Sequence, residues 1–493
     1  MKKIIISAFA ISTLTLISCN TDFERDVNNV TVSTGNADFK TYVSIGNSLT
    51  SGYRDGALYL DGQKESFPSM LAKQMALAGG TQTFNQPLMP NNAGGFTDLF
   101  TASGGTDFYG KLTLNTALSP APSAPGANLD IIGGAGKYFN NMGVPGAKSF
   151  HLISSGYGSA ANLATGKANP YFVRFATSAT TTVLADAAAQ KPSFYTLWIG
   201  NNDVLSYATS GGSGVDQKGN LDPSTYGSND ISDPNVVANV IKTVITSLKT
   251  ANTTSKGAIA NIPYVTSIPY FTTVPATPIA GLTTTQVSQL NAAYATYNGG
   301  LLTLKNLGAI TTAEYNARLI KFSENGVNGA VIVDKDLTNL SAYNLPSLRQ
   351  TTSKDYILLP ALSVIRDTNI KGGTATPLAD KYVLTEKEAG RVITATDAYN
   401  SAITSLATTN GLALVDTNTK MKELATTSGI QYNGVRYTAS FITGGAFSLD
   451  GVHPNGRGYA IIANTFIAAI NNTYFSTLPY VDINAYSGVT FPK

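Results

Sequence analysis

Short apolar runs alternate along this chain with longer segments whose apolar positions recur every three or four residues. Residues 41–46, 194–199, 257–262 and 412–415 are the runs. Their length and their β-branched and aromatic content predict buried strands. Residues 66–78 carry Phe67, Met70, Leu71, Met75 and Leu77 at largely helical spacing, which predicts a helix packed on one sheet face. Asp233-Pro234 opens another helix, with proline in its first turn. Its apolar rows are Val236, Val240, Val244 and Leu248, with Val237, Ile241 and Ile245 alongside. Thr385 and Glu388 form a capping box before a long helix running through Ile393 and Ile403 to about Leu406. Residues 459–470 read as a closing helix. Strands alternating with helices predict an α/β fold with a parallel sheet, in which the loops at the strand C-termini build the site.

Two stretches break the alternation. Residues 80–130 are rich in Gly, Pro, Asn and Ser and have little periodicity. They read as an extended excursion over the site, not as a separate domain. Residues 270–380 hold two helical patterns, 285–297 and 312–322, and a hairpin-like run at 329–335. This predicts an insertion between a core strand and its helix, forming a cap beside the site. No internal repeat is visible.

The chain has 493 residues, 43% of them apolar, ample for a core; only 13% are charged, against roughly 25% in ordinary soluble domains. Net charge is +3, falling to about +1 once Lys2 and Lys3 are removed with the leader. That balance argues against nucleic acid as the main partner. The N-terminus reads as a targeting segment: Lys2-Lys3, then an apolar stretch from Ile4 to Ile17, too short to span a bilayer at about 20 residues. It ends in Leu16-Ile17-Ser18-Cys19, and Cys19 is the only cysteine, so no intrachain disulfide exists. Residues 1–18 are then a signal peptide, 19–38 a polar tether, 39–480 the folded domain and 481–493 a tail.

The chemistry centres on a scarce residue. There are two histidines, His151 and His453, and His453 lies in Asp450-Gly451-Val452-His453. An aspartate three residues before a histidine can fix the imidazole tautomer within one tight loop. Ser48, in Gly46-Asn47-Ser48-Leu49, follows the first strand, and Gly200-Asn201-Asn202-Asp203 follows the second. Serine, amide and Asp-His are the parts of an acyl-transfer site. Taken singly, each has a plainer reading: a turn serine, a turn asparagine, a surface histidine. His151 reads as structural. Two distant histidines and one cysteine make a poor metal site, and neither a dinucleotide glycine fingerprint nor a P-loop lysine motif is present.

Together these segments resemble the SGNH/GDSL serine hydrolases, which carry four spaced blocks. Gly46-Asn47-Ser48-Leu49 is similar to the first, Asn140-Asn141-Met142-Gly143-Val144-Pro145-Gly146-Ala147 to the second, Gly200-Asn201-Asn202-Asp203 to the third and Asp450-Gly451-Val452-His453 to the fourth. The likeness covers about half the chain. One residue departs: Asn47 stands where the family has aspartate. The rival Gly-x-Ser-x-Gly signature is absent. The resemblance implies a flavodoxin-like three-layer α/β/α fold with no cofactor. It implies Ser48 as nucleophile, His453 as base and Asp450 as its partner. It implies an oxyanion hole from the backbone of Ser48 and Gly146 and the side chain of Asn202. The substrate is then a carboxylic ester, of a lipid or of an acylated glycan in a carbohydrate deacetylase. A non-catalytic surface protein that binds glycan or lipid is the alternative. Leu16 to Cys19 likewise resembles a bacterial lipobox, which implies lipidation of Cys19 and anchorage in the outer membrane.

Overall fold

A computed structural model describes residues 31–324 and 326–492. The expected parallel sheet is present. Its strands are β1 (Tyr42–Gly46), β2 (Asn141–Gly143), β3 (Phe194–Trp198), β4 (Lys256–Ala260) and β5 (Ala413–Val415). All neighbours pair in parallel, in the spatial order β2-β1-β3-β4-β5. That is the flavodoxin-like order, in which the chain reverses its winding direction between β1 and β3. Side chains of β3 alternate across the sheet. Trp198 meets Phe67 and Phe466 on one face, and Phe194 meets Tyr474 on the same face.

Helix boundaries follow local chemistry. The principal helices are α1 (Ser48–Ser51), α2 (Phe67–Leu77), α3 (Asn202–Thr209), α4 (Pro234–Ala251), α5 (Thr284–Asn306, in the insertion), α6 (Glu386–Asn410), α7 (Thr417–Ala425) and α8 (Gly456–Tyr474). Asp233 caps α4, accepting from the Asn235 N–H at 2.7 Å. Thr385 and Glu388 close their capping box with Thr385 N–H donating to Oε2 at 2.8 Å, and Gly411 ends α6 at φ +63°. Helices α2 and α8 cover the Trp198 face, and α4 packs against α6.

Strand β2 was not visible in the apolar pattern, since Asn and Gly are poor strand formers. It forms because Ser44, Ile45 and Gly46 offer a free edge, and Asn141 Nδ2 donates to the Thr50 carbonyl at 3.0 Å. The insertion between β4 and α6 builds its own apolar clusters, one around Tyr294, Leu301 and Phe322, another around Val274, Ile332 and Ile357. The helix expected at 312–322 ends at Arg318. Beyond it, Ile320 and Phe322 are bonded through both N–H and C=O to the side chains of Asn298 and Asn291 on α5. These bonds replace the helical ladder. The hairpin expected at 329–335 is a single strand, Val331–Val333, paired with the distant Leu348–Gln350.

Both ends of the domain pack more tightly than a tether and a tail. Ser33 N–H donates to Thr477 Oγ1 at 2.8 Å, Asn36 N–H donates to the Tyr474 carbonyl at 2.7 Å, and Ala37 is buried. Asn464 grips both backbone groups of Val481, and Ile483 is buried. Residues 33–38 and 481–483 thus belong to the fold: the first segment bonds to the end of α8 and the chain just after it, and Asn464 on α8 supplies the backbone partners of the second. Cys19 and the leader lie outside the described residues. No described helix is long and apolar enough to cross a membrane.

Candidate active site

The site sits at the strand C-termini, on either side of the β1/β3 reversal. Gly46 ends β1 where a Cβ would come within 2.4 Å of the Trp198 carbonyl, so only glycine lets the two strand ends approach. Asn47 then caps α1: its Oδ1 accepts from the Leu49 N–H at 3.0 Å and its Nδ2 donates to Asn201 Oδ1 at 3.2 Å. A carboxylate at this position would keep the first bond and would need the Asn201 amide turned over to donate the second. Asn47 therefore ties the Ser48 loop to the loop before α3.

Ser48 Oγ lies 2.9 Å from His453 Nε2, and His453 Nδ1 lies 2.9 Å from Asp450 Oδ2. The three form one hydrogen-bonded line, with the Tyr53 ring packed 4.8 Å from the imidazole. Asp450 is held hard. Its Oδ1 accepts from the backbone N–H of Val452 and His453, both at 2.8 Å, and from Ser448 Oγ at 3.1 Å; its Oδ2 accepts from the Gly56 N–H at 2.9 Å. Burial alone would raise its pKa. The neighbouring imidazole and these donors outweigh burial and bring the carboxyl down to about 2.

Two further groups lie in the segments after β2 and β3. Gly146 takes φ +80°, a backbone conformation that favours glycine. Strand β2 lies so close to α1 that a Cβ on Gly143 would fall 2.4 Å from Ser51 N. Gly146 follows this strand three residues on. Among the described residues, no protein atom accepts from the N–H of Ser48 or of Gly146. Asn202 Nδ2 donates one hydrogen to the Ala147 carbonyl at 3.0 Å, which joins the second and third motifs. Asp203 reinforces that joint. It is fully buried and accepts from Ser149 N–H and Oγ, both at 2.8 Å.

Other supports had no signal in the spacing. Asp55, at φ +54°, accepts from the Leu449 N–H at 3.0 Å and from Tyr59 OH at 2.6 Å, while its own N–H donates to Ser448 Oγ. Arg54 braces Tyr59 and pairs with Glu65 at 2.7 Å. The loop after Ser48 thereby holds the loop that carries Asp450. Asp55→Ala is expected to cost about 1–3 kcal/mol of stability, because it strands a buried N–H. Urea unfolding of the variant measures this.

The insertion enters at the same place. Tyr270 N–H donates to the Gly451 carbonyl at 2.9 Å, and a Cβ on Gly451 would meet Leu359 at 3.0 Å. Residues 80–130 pack through Met89 and Phe96 onto Leu58 and Tyr171, and Tyr171 in turn meets Tyr53.

His151 stands apart from this line. Its Nδ1 accepts from the Lys148 N–H at 3.0 Å, and its ring stacks on Tyr157 at 4.5 Å. Burial, followed by the Lys148 charge, lowers its pKa to about 4. The unfolded chain therefore binds a proton there first. The stability this neutral ring contributes is present above about pH 6.5 and is lost as pH falls towards 4, up to about 3 kcal/mol. His151→Gln should flatten that part of a stability–pH curve measured by denaturant unfolding.

Among the described residues, no group of three or more His, Cys, Asp or Glu side chains is placed to hold a metal ion.

No family model matches the chain, and no curated protein does. Several solved structures are similar. LAE5, an alpha/beta hydrolase enzyme from the metagenome of Lake Arreo, Spain, has 12% identity and a TM-score of 0.31, over 88% of this chain and 96% of that one. Axe2, an acetylxylan esterase from Geobacillus stearothermophilus, has 11% identity and a TM-score of 0.32, over 88% and 96%. The extracellular lipase of Streptomyces rimosus has 10% identity and a TM-score of 0.29, over 88% and 99%. At these scores the likenesses do not bear on activity.

Proposed function

We propose that this chain is a serine hydrolase of the SGNH/GDSL type that cleaves carboxylic esters. The observation that carries the reading is the unbroken line from Ser48 Oγ through His453 to Asp450, with both links at 2.9 Å. His453 Nε2 takes the Ser48 proton as Oγ attacks the ester carbonyl. Asp450, ionised because its pKa is brought down to about 2, holds Nδ1–H and stabilises the imidazolium. Negative charge on the carbonyl oxygen is met by the N–H groups of Ser48 and Gly146 and by the second Asn202 amide hydrogen. The imidazolium protonates the leaving alcohol. His453 then activates a water that releases the acid and restores Ser48.

Asn202→Ala is expected to lower kcat by about 10²–10³-fold with KM little changed, since its donor acts on the developing charge. Steady-state kinetics on an activated ester test this. A fluorophosphonate probe separates the enzyme from a binding protein: labelling of Ser48 supports catalysis, and no labelling of folded protein overturns it.

Cys19 as a lipid attachment site in a bacterial envelope is part of the same proposal. It is supported by Lys2-Lys3, the short apolar stretch and the lone cysteine. Mass spectrometry of the mature N-terminus is expected to find an acylglyceryl Cys19; an unmodified N-terminus elsewhere would rule this out.

A further inference from the structure

A narrow cavity of about 110 Å³ opens beside Ser48, Asn202 and His453 and runs between α7 and α8. Beyond the catalytic groups its wall is hydrocarbon: Trp198 from β3, Met421 and Leu424 from α7, Ile461 and Ile462 from α8. The hydroxyls and the ammonium along its far part each have a protein partner. Thr417 Oγ1 donates to the Asn261 carbonyl, Thr465 Oγ1 to the Ile461 carbonyl at 2.9 Å, and Lys420 pairs with Glu423 at 2.6 Å. The Asn47 and Asn201 side chains bond to each other. A sugar placed deep in this wall would find few partners for its hydroxyls, a costly loss for buried polar groups. An alkyl chain loses nothing. Gly458 and Thr465 both line the cavity, and seven residues of helix correspond to roughly 10 Å, a depth that an acetyl group leaves mostly empty.

We infer that this cavity receives the acyl chain, so that the substrates are esters of aliphatic acids several carbons long and not acetylated glycans. The inference rests on the serine-hydrolase reading of the same site. Thr465, at the far end, and Ile462, along the wall, set the length accepted.

The test is a p-nitrophenyl ester series from acetate to dodecanoate. It is run beside acetylated xylan and beside acetate esters of alcohols of increasing length, with fluorophosphonate labelling of Ser48 as a separate readout. The expected result is kcat/KM rising roughly fourfold for each added methylene until the cavity is full, then falling. Ile462→Trp and Thr465→Trp should each lower the octanoate-to-acetate ratio by about tenfold or more. Two tryptophan variants guard against one misfolding, and labelling reports whether each site is intact. Acetate or acetylated xylan turned over best, with Ser48 labelled, overturns the acyl-chain assignment and leaves the hydrolase reading standing. So does dependence on the alcohol chain alone. No labelling and no turnover of any ester overturns both.

Discussion

Ser48→Ala is expected to abolish ester hydrolysis, by on the order of 10⁴-fold or more in kcat, and to remove fluorophosphonate labelling while the fold persists. The nucleophile has no substitute. Ser48 Oγ is the hydroxyl bonded to His453 Nε2, and His151 accepts a bond from the Lys148 backbone instead. The substitution removes one oxygen from a side chain that caps nothing; the capping of α1 belongs to Asn47. Thermal unfolding should therefore match the parent protein while activity vanishes. Labelling at another serine, or activity retained in the alanine variant, would end the assignment.

The second large effect is expected at His453, and it should not add to the first. His453→Ala should cost nearly as much as Ser48→Ala, and the double variant should be hardly worse than either, because both residues serve one proton transfer. Asp450→Ala should cost less in kcat, since it orients and stabilises without taking the proton. Its cost in stability should be larger. It strands the N–H groups of Gly56, Val452 and His453, on the order of 3 kcal/mol in all. The Asp450 pKa falls from the ordinary carboxylate value near 4 to about 2 in the fold. Its stabilisation is therefore complete above pH 4 and lost as pH falls towards 2, about 2 kcal/mol. This window begins where the one expected for His151 ends, so the two losses should run together as one continuous fall in stability from about pH 6.5 to about 2, and His151→Gln should remove only its upper part. A His453→Ala protein that keeps most of its activity would remove the triad.

By itself the sequence determined the elements whose causes are local. Apolar runs made β1, β3, β4 and β5 legible to within one or two residues, and the caps at Asp233 and Thr385 announced α4 and α6. The candidate site was legible for the same reason: Ser48, Gly146, Asn202, Asp450 and His453 each sit in a short motif, and the motifs of Ser48 and Asn202 directly follow predicted strands. Tertiary structure alone decided what depends on partners far along the chain. Strand β2 exists because β1 has a free edge, and residues 320–322 leave the helix because Asn291 and Asn298 reach them from α5. The line from Ser48 to His453 closes across 405 positions, and Asp55 holds the Asp450 loop across 394. The apolar cavity wall is assembled from β3, α7 and α8, none of which signals it separately. Propensity and capping act within a few residues, whereas side chains that bond to distant backbone leave no period in the sequence to read.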